Sequence, residues 1–209
     1  MYSKAMMIEQ DLQGRDIQDK RVLAAMEEVD RRLFVPDDLQ NHAYEDSPLP
    51  IGKSQTVSQP YIVAYMAQVL DIKADDKVLE IGTGCGYNAA ILSRLAKEVY
   101  SIEIIEWLAE LAKINLAQTE YDNIHIRFGD GYQGWPEQAP FDVIELTAAP
   151  PKVPQSLKQQ LKTGGRLVAP VGTLSQELVL VERLSEQDFS EKVLSMVRFV
   201  PMTGQAQQE

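Results

Sequence analysis

Residues 77 to 92, KVLEIGTGCGYNAAIL, constrain the fold most: an apolar run of strand character, a turn carrying Gly82, Gly84 and Gly86, then a helical stretch. Glycine lets a backbone turn tightly and lets a ligand approach where a side chain would clash. The first turn of the following helix offers free N–H groups. In an open parallel sheet, ligands bind outside the carboxyl ends of the strands, so a cofactor is expected over Gly82 to Gly86.

The chain around this unit repeats the alternation. EVYSIEI, IHIRFGD, FDVIELTAA and GGRLVAPVG read as further strands, with AAILSRLA and EWLAELAKINLA as helices. This predicts an α/β fold with a doubly wound, mostly parallel sheet and helices on both faces. ELVLVERL and KVLSMVRFV flank a short polar segment and predict an antiparallel C-terminal edge. Upstream, DKRVLAAMEEVDRRLF (19 to 34) spaces Val22, Leu23, Met26, Val29, Leu33 and Phe34 as one amphipathic helix, an N-terminal helical extension. Pro36, Pro48 and Pro50 punctuate a polar stretch before a second helix begins near Pro60, with Ile62, Val63, Met66, Val69 and Leu70 on its buried face. The tail GQAQQE has little to bury and is expected to be mobile without a ligand.

A chain of 209 residues can be served by one core. The expectation is a single domain over 1–209: an extension on the substrate side (1–60), a cofactor-binding core (61–180), and C-terminal strands and tail (181–209). The net charge of -11 opposes nucleic-acid binding, which needs a surplus of Lys and Arg. No apolar run approaches the ~20 residues of a membrane span. The one cysteine, Cys85, permits no internal disulfide and favours the cytoplasm. His42 and His125 lie far from each other and from Cys85, without zinc spacing. A cytoplasmic monomer that holds no metal is expected.

Spacing and charge distinguish the cofactor. The dinucleotide fingerprint is G-x-G-x-x-G, whereas this loop is G-x-G-x-G followed by Tyr87 and Asn88. Glu80 precedes the loop, where it would balance a cationic amino group. Glu103 ends the next strand, 21 residues after Gly82, where a carboxylate suits ribose hydroxyls. Asp130, in FGDG, ends the strand after that, within reach of an adenine amino group. Three carboxylates repel a pyrophosphate but suit S-adenosyl-L-methionine, which carries a sulfonium and an ammonium and no phosphate. Methyl transfer is favoured over hydride transfer.

The segments RVLAAM, RRLFVP, PLPIG, QTVSQPYIVAYM, VLEIGTGCGYNAA, GDGYQGW, PFDVIELTAAPP, LKTGGRLVAPVG and VRFVPMTG, spread from about Ile17 to Gly204, resemble the protein-L-isoaspartate O-methyltransferase family. The resemblance implies a Rossmann-like methyltransferase in which the usual order of the last two sheet strands is reversed. It implies methylation, by S-adenosyl-L-methionine, of the free carboxylate of L-isoaspartyl residues in damaged proteins and peptides. The ester then collapses to a succinimide, and hydrolysis returns part of it to aspartate. By the same resemblance Ser58 is the active-site residue. Gln55, Thr56 and Val57 lie with it against cofactor and substrate, Cys85, Glu103, Asp130 and Gly131 join the cofactor site, and Thr203 closes it.

Two positions depart from the family pattern. Members often read G-x-G-Q-T ahead of the serine, while this chain has Gly52-Lys53-Ser54-Gln55-Thr56. Lys53 places a cation at the mouth and Ser54, if held at positive φ, costs ~1 kcal/mol relative to glycine, so both are counted with Ser58 on the substrate side. Cys85 is a small packing residue without a partner base. Ser58, two residues before Pro60, has a second reading as a helix N-cap. A carboxyl methyltransferase for another peptide or small acceptor stays open. A nucleic-acid amino methyltransferase is opposed by TAAPPKVP, which lacks an Asn-Pro-Pro-aromatic cluster.

Overall fold

The computed structural model describes residues 2–118 and 120–208. Its helices are α1 (Lys4–Met6), α2 (Lys20–Glu28), α3 (Pro60–Leu70), α4 (Tyr87–Ser93), α5 (Glu106–Leu116) and α6 (Gln155–Gln159). Its strands are β1 (Leu49–Gly52), β2 (Gln55–Val57), β3 (Lys77–Ile81), β4 (Glu98–Glu103), β5 (Ile124–Phe128), β6 (Phe141–Leu146), β7 (Leu161–Gly172), β8 (Gln176–Arg183) and β9 (Phe189–Val197). Strands β3 to β9 form one sheet in the order β5-β4-β3-β6-β7-β8-β9. The first five are parallel, and β7, β8 and β9 form an antiparallel meander. The chain reverses its direction of build between β3 and β6, which opens a crevice at their carboxyl ends. The last strands follow chain order outward to β9, as the family resemblance implies.

The parallel strands are apolar because helices cover both faces. Val78, Leu79, Val99, Ile102, Val143, Ile144 and Leu146 are all buried. Edge strand β5 is not: His125 and Phe128 face solvent. The sequence division at residue 180 runs through β8, and that at 60 meets the first residue of α3.

The N-terminal extension packs into the same apolar cluster as α3 and α4. Phe34 meets the ring of Tyr87 edge-on at 5.7 Å, and Arg21 donates to the carbonyls of Ile72 (2.6 Å) and Leu95 (2.7 Å). The single helix expected over 19 to 34 is in fact two pieces. α2 ends at Glu28, Val29 turns extended, and the Asp30 side chain accepts from the Arg32 N–H at 3.0 Å to start a 3₁₀ turn, Arg31–Phe34. A short carboxylate that captures backbone N–H groups competes with helix continuation. Residues before α2 also fold: α1 runs into π-helical turns, Met7–Gln13, burying Met7 and Leu12. Wider winding places buried side chains five apart, outside the usual helical period.

α3 begins at Pro60 as expected, with Val63, Met66 and Leu70 buried, but Ile62 and Val69 are only half-buried. The tail folds back onto the body over Gly204–Gln208, while Glu209, the last residue of the stretch expected to be mobile, lies outside the described residues. Residues Gly204–Gln208 form a 3₁₀ turn, Ala206 is buried, and the Gln205 N–H donates to Asp130 at 2.9 Å.

Candidate active site

The glycine loop leaves β3 at Gly82 (φ 102°), passes Gly84 (φ 56°) and enters α4 at Gly86 (φ 92°). All three backbones lie where L side chains are strained. A Cβ on Gly82 would stand 2.3 Å from Thr147 Oγ1, so only a bare backbone fits against the end of β6. Above the loop lies a cavity of ≈ 830 Å³ including its open mouth. Its wall includes Gln55, Thr56, Val57 and Ser58 on one side and Gly82, Gly84 and Cys85 beneath. Glu103, Asp130, Gly131 and Thr203 line it as well.

Among the described lining residues Glu103 and Asp130 are the charged ones, and neither Lys, Arg nor His joins them. Backbone N–H groups fix both carboxylates. Glu103 accepts from Gly84 (2.8 Å) and Ile105 (2.9 Å). Burial pushes its carboxyl up, against the opposing pull of those N–H groups. Asp130 accepts from Tyr132 and Gln205, each at 2.9 Å. A bare glycine cradle with two anchored carboxylates and no cation fits an uncharged or cationic nucleoside better than a phosphate. S-adenosyl-L-methionine meets that test.

Four positions stand elsewhere than sequence reasoning put them. Glu80 does not line the cavity. It is fully buried beneath the loop, where Ser101 Oγ and Asn88 Nδ2 donate to its two oxygens, so it faces neutral partners rather than a ligand amino group. Gly86 caps α4 behind Cys85 and is not in the wall. Lys53 and Ser54 form the tip of the β1–β2 hairpin, outside the lining of both cavities described here, with Lys53 Nζ 5.6 Å from the Trp107 ring centre. Both have positive φ, 53° and 58°, as a two-residue turn between twisted strands demands.

Cys85 is buried with its thiol pushed up to about 11 by burial, which keeps it protonated and non-nucleophilic. Ser58 does not cap α3. The cap bond runs from the Tyr61 N–H to Asp46 Oδ1 at 2.9 Å, and the Ser58 hydroxyl makes no hydrogen bond to a described residue. Its backbone is held instead: buried Arg31 donates to the Ser58 carbonyl at 2.9 Å and also to Ala43 and Ser47.

A second, wider groove adjoins the first. It runs past Arg15, Tyr61 and Tyr65 on one side and Leu194 to Pro201 on the other. Thr56, Ser58, Thr147, Val200 and Pro201 line both, so the two spaces meet at Ser58. Thr147 escaped sequence reasoning. It directly follows β6, donates to the Gly82 carbonyl at 2.6 Å, and could have been found as a polar residue at the carboxyl end of a central strand. Val200 to Met202 escaped too. The chain there is stitched to the β6 exit by Ala149 N–H to Val200 carbonyl and Met202 N–H to Ala149 carbonyl, both 2.8 Å.

Fold and cavity together define a Rossmann-like methyltransferase that uses S-adenosyl-L-methionine. A family model described as protein-L-isoaspartate(D-aspartate) O-methyltransferase matches residues 2–207. A protein-L-isoaspartate O-methyltransferase from Picosynechococcus sp. is 52% identical over 95% of this chain and 89% of its own length. A solved protein-L-isoaspartate O-methyltransferase superposes with a TM-score of 0.87 at 29% identity, covering 97% of this chain and 66% of that one. The fold is shared as well by a Plasmodium falciparum protein described as a protein-L-isoaspartate O-methyltransferase in complex with S-adenosyl-L-homocysteine. That structure has a TM-score of 0.85 at 23% identity, over 97% of this chain and 99% of its own. The chain belongs to the protein-L-isoaspartate(D-aspartate) O-methyltransferase family.

Among the described residues no helix is long and apolar enough to cross a membrane.

Proposed function

We propose that this chain is a protein repair enzyme that methylates the free carboxylate of L-isoaspartyl residues in damaged proteins and peptides. The observation that carries the proposal is the place of Ser58, whose unengaged hydroxyl stands where the cofactor cavity opens into the wider groove. When bound, S-adenosyl-L-methionine supplies an activated methyl group on a sulfonium.

The chain's own residues then have little proton chemistry to do. An isoaspartyl carboxylate is already ionised at neutral pH, so no general base is needed. Both histidines fit that view, since His42 and His125 sit at the surface in hydrogen-bond contact with Glu45 and Glu98. Ser58 orients the acceptor, with Gln55, Thr56 and Val57 as the wall between acceptor and cofactor. Glu103 holds the ribose hydroxyls, Asp130 and Gly131 the adenine end, and Thr203 closes the C-terminal side. Gly82, Gly84 and Cys85 leave room for the ligand, while Gly86 and Glu80 support the loop from behind. Alignment and exclusion of water supply most of the acceleration. The groove along Tyr61, Tyr65 and Leu194 to Pro201 seats the acceptor chain, with Lys53 and Ser54 outside it on the rim.

A cytoplasmic monomer, with no nucleic acid, membrane or metal partner, completes the proposal, supported by the net charge of -11 and by one buried cysteine. Incubation with an isoaspartyl peptide and its aspartyl twin tests the function, with methyl ester expected on the former alone.

A further inference from the structure

Beneath the glycine loop lies a second carboxyl that no motif singles out. Glu145 on β6 stands directly beside Glu80 on β3 in the parallel register, and Ser101 on β4 is the next residue in the same row. Glu80, Glu145 and Ser101 are all buried to within 1% of full coverage. The neighbour on the far side, Val168 on β7, is apolar. The other titratable groups facing the pair are Glu103 at the end of β4 and the Cys85 thiol in the loop, and no basic side chain offsets either acid.

Each oxygen of Glu80 accepts one hydrogen bond. Asn88 Nδ2 donates to one oxygen at 2.9 Å and Ser101 Oγ to the other, and Ser101 is hydrogen-bonded in turn to Thr83. Asn88 and Thr83 are both part of the cofactor cavity wall. Glu145 Oε2 and Asn88 Oδ1, by contrast, are buried acceptors without a partner. Two buried carboxylates side by side cannot both ionise cheaply. A proton on Glu145 removes the repulsion and turns one of the two orphaned acceptors into a donor.

We propose that Glu145 is a positioning residue that works as a neutral acid: it keeps the proton that lets Glu80 beside it stay ionised, donates it to the Asn88 amide oxygen, and so holds the first turn of α4 and the glycine loop in their cofactor-binding shape. Burial, and then the neighbouring Glu80 charge, push Glu145 up to about 8 against the opposing pull of the Asn88 side chain, which agrees with that protonation at neutral pH. The inference rests on the cofactor reading above. It makes ligand affinity fall as Glu145 ionises, by about tenfold for each pKa unit of linkage.

The test compares wild type, Glu145→Gln and Glu145→Leu by calorimetry with S-adenosyl-L-homocysteine at several pH values from 6 to 9. Thermal unfolding without ligand and the infrared carbonyl band of a protonated carboxylic acid are followed in parallel. Expected are a protonated-acid band in wild type at pH 7 that is lost in Glu145→Gln, and affinity weakened about tenfold or more in Glu145→Leu. Glu145→Gln should restore that affinity and flatten the pH dependence of both binding and unfolding. A Glu145→Leu protein that binds as wild type does would overturn the inference. So would identical pH profiles of unligated wild type and Glu145→Gln, a readout that survives even if Glu145→Leu does not fold. Failure of the wild type to bind the ligand at all would instead sink the cofactor reading, leaving the unligated comparison to decide the role of Glu145.

Discussion

Arg31 Nη2 donates to the Ser58 carbonyl at 2.9 Å, tying the only fully buried guanidinium among the described residues to the segment where the two cavities meet. The same group also holds the carbonyls of Ala43 at 2.5 Å and Ser47 at 3.3 Å. Burial lowers its proton affinity, but an arginine keeps its charge. Arg31→Met would leave three acceptors without a donor and is expected to cost about 3–5 kcal/mol in urea unfolding. Arg31→Lys, which reaches fewer carbonyls, should keep part of that stability and still lose turnover through a displaced Ser58. Equal turnover in Arg31→Lys and wild type would mean that this bond does not position the site.

Ser58→Ala separates orientation from structure. Because Asp46, not Ser58, caps α3, the substitution should leave the melting temperature unchanged and reduce turnover by about 10²-fold, the scale of one lost transition-state donor. Asp46→Ala is the complementary case, expected to cost about 1 kcal/mol as a lost helix cap. A destabilised Ser58→Ala protein with normal turnover would contradict the assignment.

The hairpin tip carries removable strain. Lys53 and Ser54 both occupy left-handed backbone, where a non-glycine residue costs ~1 kcal/mol. Ser54→Gly should raise stability by about that amount in denaturant unfolding. Since Ser54 lines neither cavity, kcat is expected to stay within about twofold, and a large change in KM would place this turn in contact with the acceptor.

The Glu80–Glu145 pair gives stability a definite pH slope. Both folded-state values are raised, to about 7 and about 8, from an ordinary 4.5. The folded protein therefore holds protons that the unfolded chain has released. The pair's contribution is fully present below about pH 4.5 and is lost as pH rises through 7 and 8. Thermal unfolding from pH 5 to 8.5 should show a declining melting temperature, and Glu145→Gln should remove most of the decline. A rising profile over that range would contradict the burial of two acids.

Much of this architecture was legible before any coordinate. The strand, glycine turn and helix around Gly82 to Gly86 carry a local signal, Glu103 is the last residue of β4, and Asp130 follows the end of β5 by two residues. Less legible were features set by distant pairing. Glu80 and Glu145 are neighbours only because β3 and β6 lie side by side, 65 residues apart. Nothing in the stretch VIEL marks its acid as buried. Arg31 reads as one of three surface charges in DRR until Asp30 breaks the helix and turns it inward. The tail reads as mobile because its packing rests on one small apolar residue, Ala206, and on a bond to the distant Asp130.

The most direct measurement is methyl ester formation on a synthetic peptide containing one L-isoaspartyl residue, beside the same peptide with ordinary aspartate, using S-adenosyl-L-methionine as donor. The account predicts stoichiometric, base-labile ester on the isoaspartyl peptide and none above background on its twin, with turnover at saturating S-adenosyl-L-methionine nearly flat around neutral pH because the acceptor carboxylate is already ionised. Equal labelling of both peptides, or of neither while a different carboxylate is methylated, would contradict it.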